Sequence, residues 1–88
     1  MPNVVMYTTA ICPYCVRAKF LLQNKGVTFE EIRIDTDHAI MEDMVRRSRR
    51  NTVPQIFIDD LHVGGYDDLA ALEMAGRLNG LLGLPEED

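Results

Sequence analysis

The chain carries two cysteines, flanking a proline and a tyrosine: Cys12-Pro13-Tyr14-Cys15. They fall where a short apolar run (Val4, Val5, Met6) gives way to a helix-like run from Val16 to Asn24. A thiol at a helix N-terminus meets unpaired backbone N–H groups and the positive end of the helix dipole. Both favour thiolate, the reactive form of cysteine. The chemistry open to such a pair is dithiol–disulfide exchange, with Cys12 attacking and Cys15 resolving. Two plainer assignments compete with it. A structural bridge over so short a loop restricts the unfolded chain little. A zinc site needs two more ligands, and His38 and His62 lie far apart in sequence, unlike the close spacing of paired zinc histidines. No metal is expected.

The elements that must position this pair follow from periodicity. Asn3 to Thr8 reads as a strand. Pro13 suits the first turn of the next helix, where Val16, Phe20, Leu21 and Leu22 suggest the apolar face. Gly26 suits a left-handed cap. Val27 to Ile34 reads as a second strand, and Asp37 as the N-cap of a second helix. Ile40, Met41, Met44 and Val45 mark one face of that helix, and it ends around Arg49 to Asn51. Ile56 to Ile58 and Leu61 to Val63 form a hairpin about Asp59-Asp60. A third helix begins near Asp67 and Asp68, carrying Leu69, Leu72 and Met74. Gly76, Gly80 and Gly83 weaken the last stretch, and Pro85 to Asp88 reads as a frayed tail. The order is β-α-β-α-β-β-α: an α/β fold with a four-stranded mixed sheet flanked by three or more helices.

Composition agrees. At 88 residues, with 47% hydrophobic and 26% charged, the chain reads as one globular domain over 1–88. A net charge of −5 gives no general attraction to nucleic acid. No apolar run approaches a membrane span, and Met1-Pro2-Asn3 lacks the start of a secretion signal. One C-x-x-C pair fits a reducing compartment. The expectation is a cytoplasmic monomer. Of the charge run Arg46, Arg47, Arg49 and Arg50, the first two suit a solvated last helical turn. His38 and His62 are expected on the surface.

Three separated motifs, Cys12-Pro13-Tyr14-Cys15, Thr52-Val53-Pro54 and Gly64-Gly65-Tyr66-Asp67-Asp68, occur in this order. Together they resemble the glutaredoxin family, a branch of the thioredoxin fold, over nearly the whole chain. The Pro-Tyr insert is similar to that of dithiol glutaredoxins; thioredoxins typically carry Gly-Pro there. The resemblance implies a thioredoxin-like fold with Pro54 cis beside the active-site disulfide. It implies that Val53 pairs its backbone with an extended peptide, as an added strand. That peptide would be glutathione. The turn from Gly65 to Asp68 would hold its γ-glutamyl end, with backbone N–H groups on the carboxylate and an Asp side chain on the ammonium. Tyr14, Arg50, Thr52 and Tyr66 complete the implied site.

The activity implied is glutathione-dependent reduction of protein disulfides and glutathione mixed disulfides. Ribonucleotide reductase is among the substrates the resemblance allows. The reduction potential would lie near about −200 to −230 mV. One position departs from the family: a lysine commonly stands three residues before the first cysteine, where this chain has Thr9. Arg17, Lys19 and Arg50 are the candidates to replace its charge, and Cys12 is still expected to titrate below about 8.5. Two rival readings keep the fold. One is a thioredoxin-like donor served by a flavoprotein reductase; the other is a glutathione-ligated iron–sulfur carrier.

Overall fold

The computed structural model describes residues 2–85. Its elements are β1 (Val4–Thr8), α1 (Pro13–Asn24), β2 (Glu30–Arg33), α2 (His38–Ser48), β3 (Gln55–Ile58), β4 (Leu61–Gly64), α3 (Tyr66–Met74) and α4 (Leu78–Leu82). The strands form one mixed sheet in the order β2-β1-β3-β4. β1 and β2 are parallel, joined through α1, while β1–β3 and β3–β4 are antiparallel. This is the expected thioredoxin-like arrangement.

The sheet is covered on both faces, which explains why β1 is buried along its whole length. Alternate side chains divide between two cores. Val4, Met6, Ile56 and Ile58 pack with Ala18 and Leu22 of α1, Leu69 of α3, and Leu78 and Leu82 of α4. Val5, Tyr7 and Phe57 point the other way, onto Met44 of α2. Arg47 folds over this second core, its guanidinium 4.3 Å from the Phe57 ring centre and donating to the Tyr7 hydroxyl at 2.7 Å. Only Arg46 has the simple solvated role expected of the pair, bridged to Asp43.

Several boundaries follow their local signals. Pro13 opens α1, Gly26 has φ +74°, and Asp37 caps α2 by accepting from the Ala39 amide at 3.0 Å. Others differ. The second strand is shorter than Val27 to Ile34, because only 30–33 lie alongside β1. Val16 and Phe20 point to solvent; the buried stripe of α1 is Cys15, Ala18 and Leu22. Met74 is exposed too, off the line of Leu69 and Leu72. The third helix is capped by Gly65, which puts Asp67 and Asp68 in its first turn. The glycine-bearing stretch after it forms α4, because burial of Leu78 and Leu82 outweighs poor helix propensity. Lys25 ties these helices together through Glu73 at 2.8 Å and Asn79 at 2.6 Å. The tail expected at 86–88 lies outside the described residues.

Candidate active site

Cys12 is the N-cap of α1. Its backbone is extended (φ −153°, ψ 99°), and its sulfur accepts from the Cys15 amide at 3.1 Å. Pro13 follows at the position where a missing N–H costs nothing. One helical turn then carries Cys15 inward, where it is 1% exposed, while Cys12 stays half-buried at the surface. The two sulfurs form a disulfide, with the Cα atoms 5.1 Å apart. A sulfur that already receives a helix N-terminal amide is placed to be stabilised as thiolate once the bond opens.

The loop before β3 faces this sulfur. The Val53–Pro54 peptide is cis, and the Val53 carbonyl oxygen lies 3.8 Å from Cys12 Sγ. Among the described residues, Val53 has no backbone–backbone hydrogen bond, so its amide can pair with an incoming chain. Thr52 is held from behind. Gln55, fully buried, donates to the Thr52 carbonyl at 3.1 Å and to its hydroxyl at 3.2 Å. Gln55 Oε1 is in turn 2.7 Å from His62 Nε2, and the His62 ring lies on Phe57. Burial, aided by the charge of Arg50, pushes the His62 pKa down. His62 is thus not simply a surface residue of the edge strand. It is half-buried and supports Gln55.

The far wall is the start of α3. The Asp68 carboxylate turns back to accept from the Gly65 amide at 2.9 Å and from Arg50 Nη1 at 2.9 Å. The Arg50 guanidinium, with help from that amide, holds the Asp68 carboxyl below the usual carboxylate range. Arg50 is therefore paired rather than left as a lone charge for a ligand. Asp67 is exposed, and its side chain has no hydrogen bond or ion pair among the described residues. This turn depends on Gly64, whose φ is +115° and where an added Cβ would collide with the Asp68 carboxylate. Gln55 is the site-building residue that motif reading passed over; Gly64 opens the third motif, but its close packing on Asp68 was not read from it. The signal for Gln55 was available: a polar side chain between Pro54 and a buried strand must find partners.

Tyr14 closes the rim. Its ring stacks on Tyr66 at 6.2 Å and 29°, and the Arg17 guanidinium sits 5.3 Å from its centre. Lys19 points away and pairs with Glu31, so it does not replace the charge missing at Thr9. Thr9 turns its hydroxyl to the Ile11 carbonyl at 3.3 Å. The loop between β1 and α1 is held instead by Asp35, which accepts from the Ala10 amide at 3.0 Å and from Arg33 at 2.6 Å. Together, Tyr14, Arg50, Thr52, Val53, Pro54, Gly65, Tyr66, Asp67 and Asp68 line one groove of about 260 Å³. Three sequence motifs thus converge: the Cys12 sulfur at a helix N-terminus, an unpaired backbone segment just before β3, and a helix start with an acidic side chain. The arrangement can bind a short extended peptide and exchange its sulfur.

Comparison with known proteins agrees with this geometry. A family model described as glutaredoxin matches residues 4–63. Glutaredoxin from Pseudomonas aeruginosa is 57% identical over 82 residues, covering 93% of this chain and 98% of that protein. Glutaredoxin 3 of Escherichia coli K12 is also 57% identical, covering 93% and 99%. Among solved structures, a Brucella melitensis glutaredoxin superposes with a TM-score of 0.83 at 52% identity, over 93% of this chain and 89% of that one. A buckwheat glutaredoxin–glutathione complex gives 0.86 at 28% identity, over 93% and 77%.

Proposed function

Because the chain belongs to the glutaredoxin family, we propose that this thiol–disulfide oxidoreductase takes its electrons from glutathione, with Cys12 attacking and Cys15 resolving. The observation that carries the reading is the position of the Cys12 sulfur. It sits on a helix N-terminus and 3.8 Å from the carbonyl oxygen of Val53, one of the residues that line the groove.

Glutathione would lie in the groove as an extended peptide, its backbone paired with Val53 in the manner of an added strand. Its γ-glutamyl carboxylate would meet the amides at the start of α3, and its ammonium the carboxylate of Asp67. The guanidinium of Arg50 keeps N–H donors beyond the one given to Asp68, and these suit the glycyl carboxylate. Thr52 and Tyr14 shape the wall around the cysteinyl sulfur.

The chemistry then balances in thiolates. Cys12 thiolate attacks the glutathione sulfur of a mixed disulfide, the Cys12–glutathione bond forms, and the substrate leaves as thiolate. A second glutathione thiolate attacks that bond, releasing glutathione disulfide and restoring Cys12. With a protein disulfide, the first attack joins Cys12 to one protein sulfur. Cys15 thiolate then attacks Cys12, and the Cys12–Cys15 bond forms as the substrate leaves fully reduced. Two glutathione molecules reopen that bond. Protein disulfides and glutathionylated proteins are the substrates proposed, ribonucleotide reductase among them, and the proposed compartment is the reducing cytoplasm.

The deciding experiment compares reductants. Glutathione should reduce the Cys12–Cys15 disulfide and sustain turnover, while thioredoxin reductase with its nicotinamide donor should not. Reduction by the flavoprotein alone, with glutathione inert, would overturn the proposal.

A further inference from the structure

The exposed apolar side chains of the described residues are unevenly placed. Ile11, Tyr14, Val16 and Phe20 all lie on the loop and helix that carry Cys12. Val16 and Phe20 are 61% and 63% exposed, although α1 already has a stripe of Cys15, Ala18 and Leu22 to fold upon. Leaving them in water forgoes hydrophobic stabilisation that the fold does not need. Their spacing of four residues puts them on one line of the helix, with Cys12 four residues before. With Leu21 and Tyr66 they wall a groove of about 370 Å³. Tyr66 also walls the groove beside Cys12, so the two grooves meet at the Tyr14–Tyr66 stack. Arg17 is the charged residue of the apolar groove.

We propose that this apolar groove docks the polypeptide segment next to the substrate cysteine that exchanges with Cys12. It selects apolar residues two and four positions from that cysteine, with a carboxylate nearby for Arg17. The proposal rests on Cys12 being the attacking thiol. The spacing follows from two repeats. Val16 and Phe20 lie ~6 Å and ~12 Å beyond Cys12 along the helix, at ~1.5 Å per residue. An extended peptide covers those spans in about two and four residues, at ~3.3 Å each. In an extended chain, positions two and four share a face with the cysteine itself. Sulfur and apolar side chains therefore reach α1 together. A second copy of this chain is the poorer occupant, since both copies carry the same net charge of −5 and repel.

The test uses the Cys15→Ser protein and synthetic peptides whose single cysteine is joined to 2-nitro-5-thiobenzoate. Attack by Cys12 on the peptide sulfur releases the coloured thiolate, so docking is read without glutathione. A peptide with Leu at the two positions and a Glu beside them should react about tenfold faster than its Ser and Gln counterpart, a ratio that partial burial of two side chains supports. Adding Val16→Ser and Phe20→Ser should abolish the preference, while the rate with a small aliphatic mixed disulfide stays unchanged. Equal rates for the two peptides in the parent, with that small disulfide reacting normally, would overturn the docking site. So would a preference that survives both substitutions. A dimer at micromolar concentration that Phe20→Ser abolishes would assign the groove to a second copy, against the proposal. Failure of Cys12 to react even with the small disulfide would instead defeat the attacking-thiol reading beneath it.

Discussion

The Asp68 carboxylate is already engaged by Arg50 and the Gly65 amide, whereas Asp67 stands open at the groove rim. Both suit a helix start by residue type, and sequence alone did not separate a cap from a ligand partner. Partners across the turn separate them, and those come from residue 50 and from a backbone amide. The two aspartates should respond differently to loss of charge. Asp67→Asn should raise the KM for glutathione several-fold and leave the melting temperature unchanged. Asp68→Asn weakens two charge-assisted hydrogen bonds at a partly exposed site, so it should cost about 1 kcal/mol of stability. Steady-state kinetics and thermal melts of both variants check this. Unchanged KM for Asp67→Asn together with a raised KM for Asp68→Asn would reverse the assignment. The cysteines were the most legible residues in the chain, because thiol reactivity depends on the local helix start and Pro13 marks that start.

Among the elements, the turn from β4 into α3 depends most on a single position. Gly64 combines φ +115° with contact to Asp68 and Arg50. Gly64→Ala would have to strain its backbone and displace the Asp68 carboxylate, for a cost of about 1–3 kcal/mol. It should also weaken glutathione binding, since the turn forms the groove's far wall. A melting curve matching that of the parent would contradict this. The turn was legible as a break in the strand; its close packing was not, since glycine shows no side chain to reason from. In α1, periodicity put Val16 and Phe20 on the apolar face with Leu21 and Leu22, and the structure turns both of the first two to solvent. Sheet packing chose Cys15, Ala18 and Leu22, the line that places the second cysteine beneath the first. In α4, Gly80 within the helix and Gly83 at its end obscured a helix that tertiary burial stabilises. The order of elements along the chain and the hairpin were legible because turn residues and short β-branched runs are local signals.

At the scale of the whole molecule, acid should weaken the fold. Glu31 is held below its ordinary 4.5, chiefly by Lys19 and then Thr8. Asp68 is held below its ordinary 3.8, chiefly by Arg50. Each contributes stability that is complete above the ordinary value and lost as pH falls through the lowered one. His62 is kept neutral by burial, below its ordinary 6.5. Its contribution is likewise complete above that value and lost as pH falls below it. The three share one sign. Relief of the net charge of −5 opposes them, but exposed charges are screened at physiological salt. Urea unfolding with the disulfide closed should therefore show stability declining below about pH 6.5 and more steeply below about 4.5. Stability rising over that interval would contradict the assigned contacts. The same scale carries the central claim, since the sulfur, the loop before β3 and the start of α3 come from three distant parts of the chain and must act as one site. The most direct measurement is turnover of a glutathionylated peptide with glutathione as the sole reductant, for Cys15→Ser and Cys12→Ser side by side. Cys15→Ser should keep most of the parent rate, and Cys12→Ser should lose activity to background. Activity that survives in Cys12→Ser and vanishes in Cys15→Ser would contradict the account.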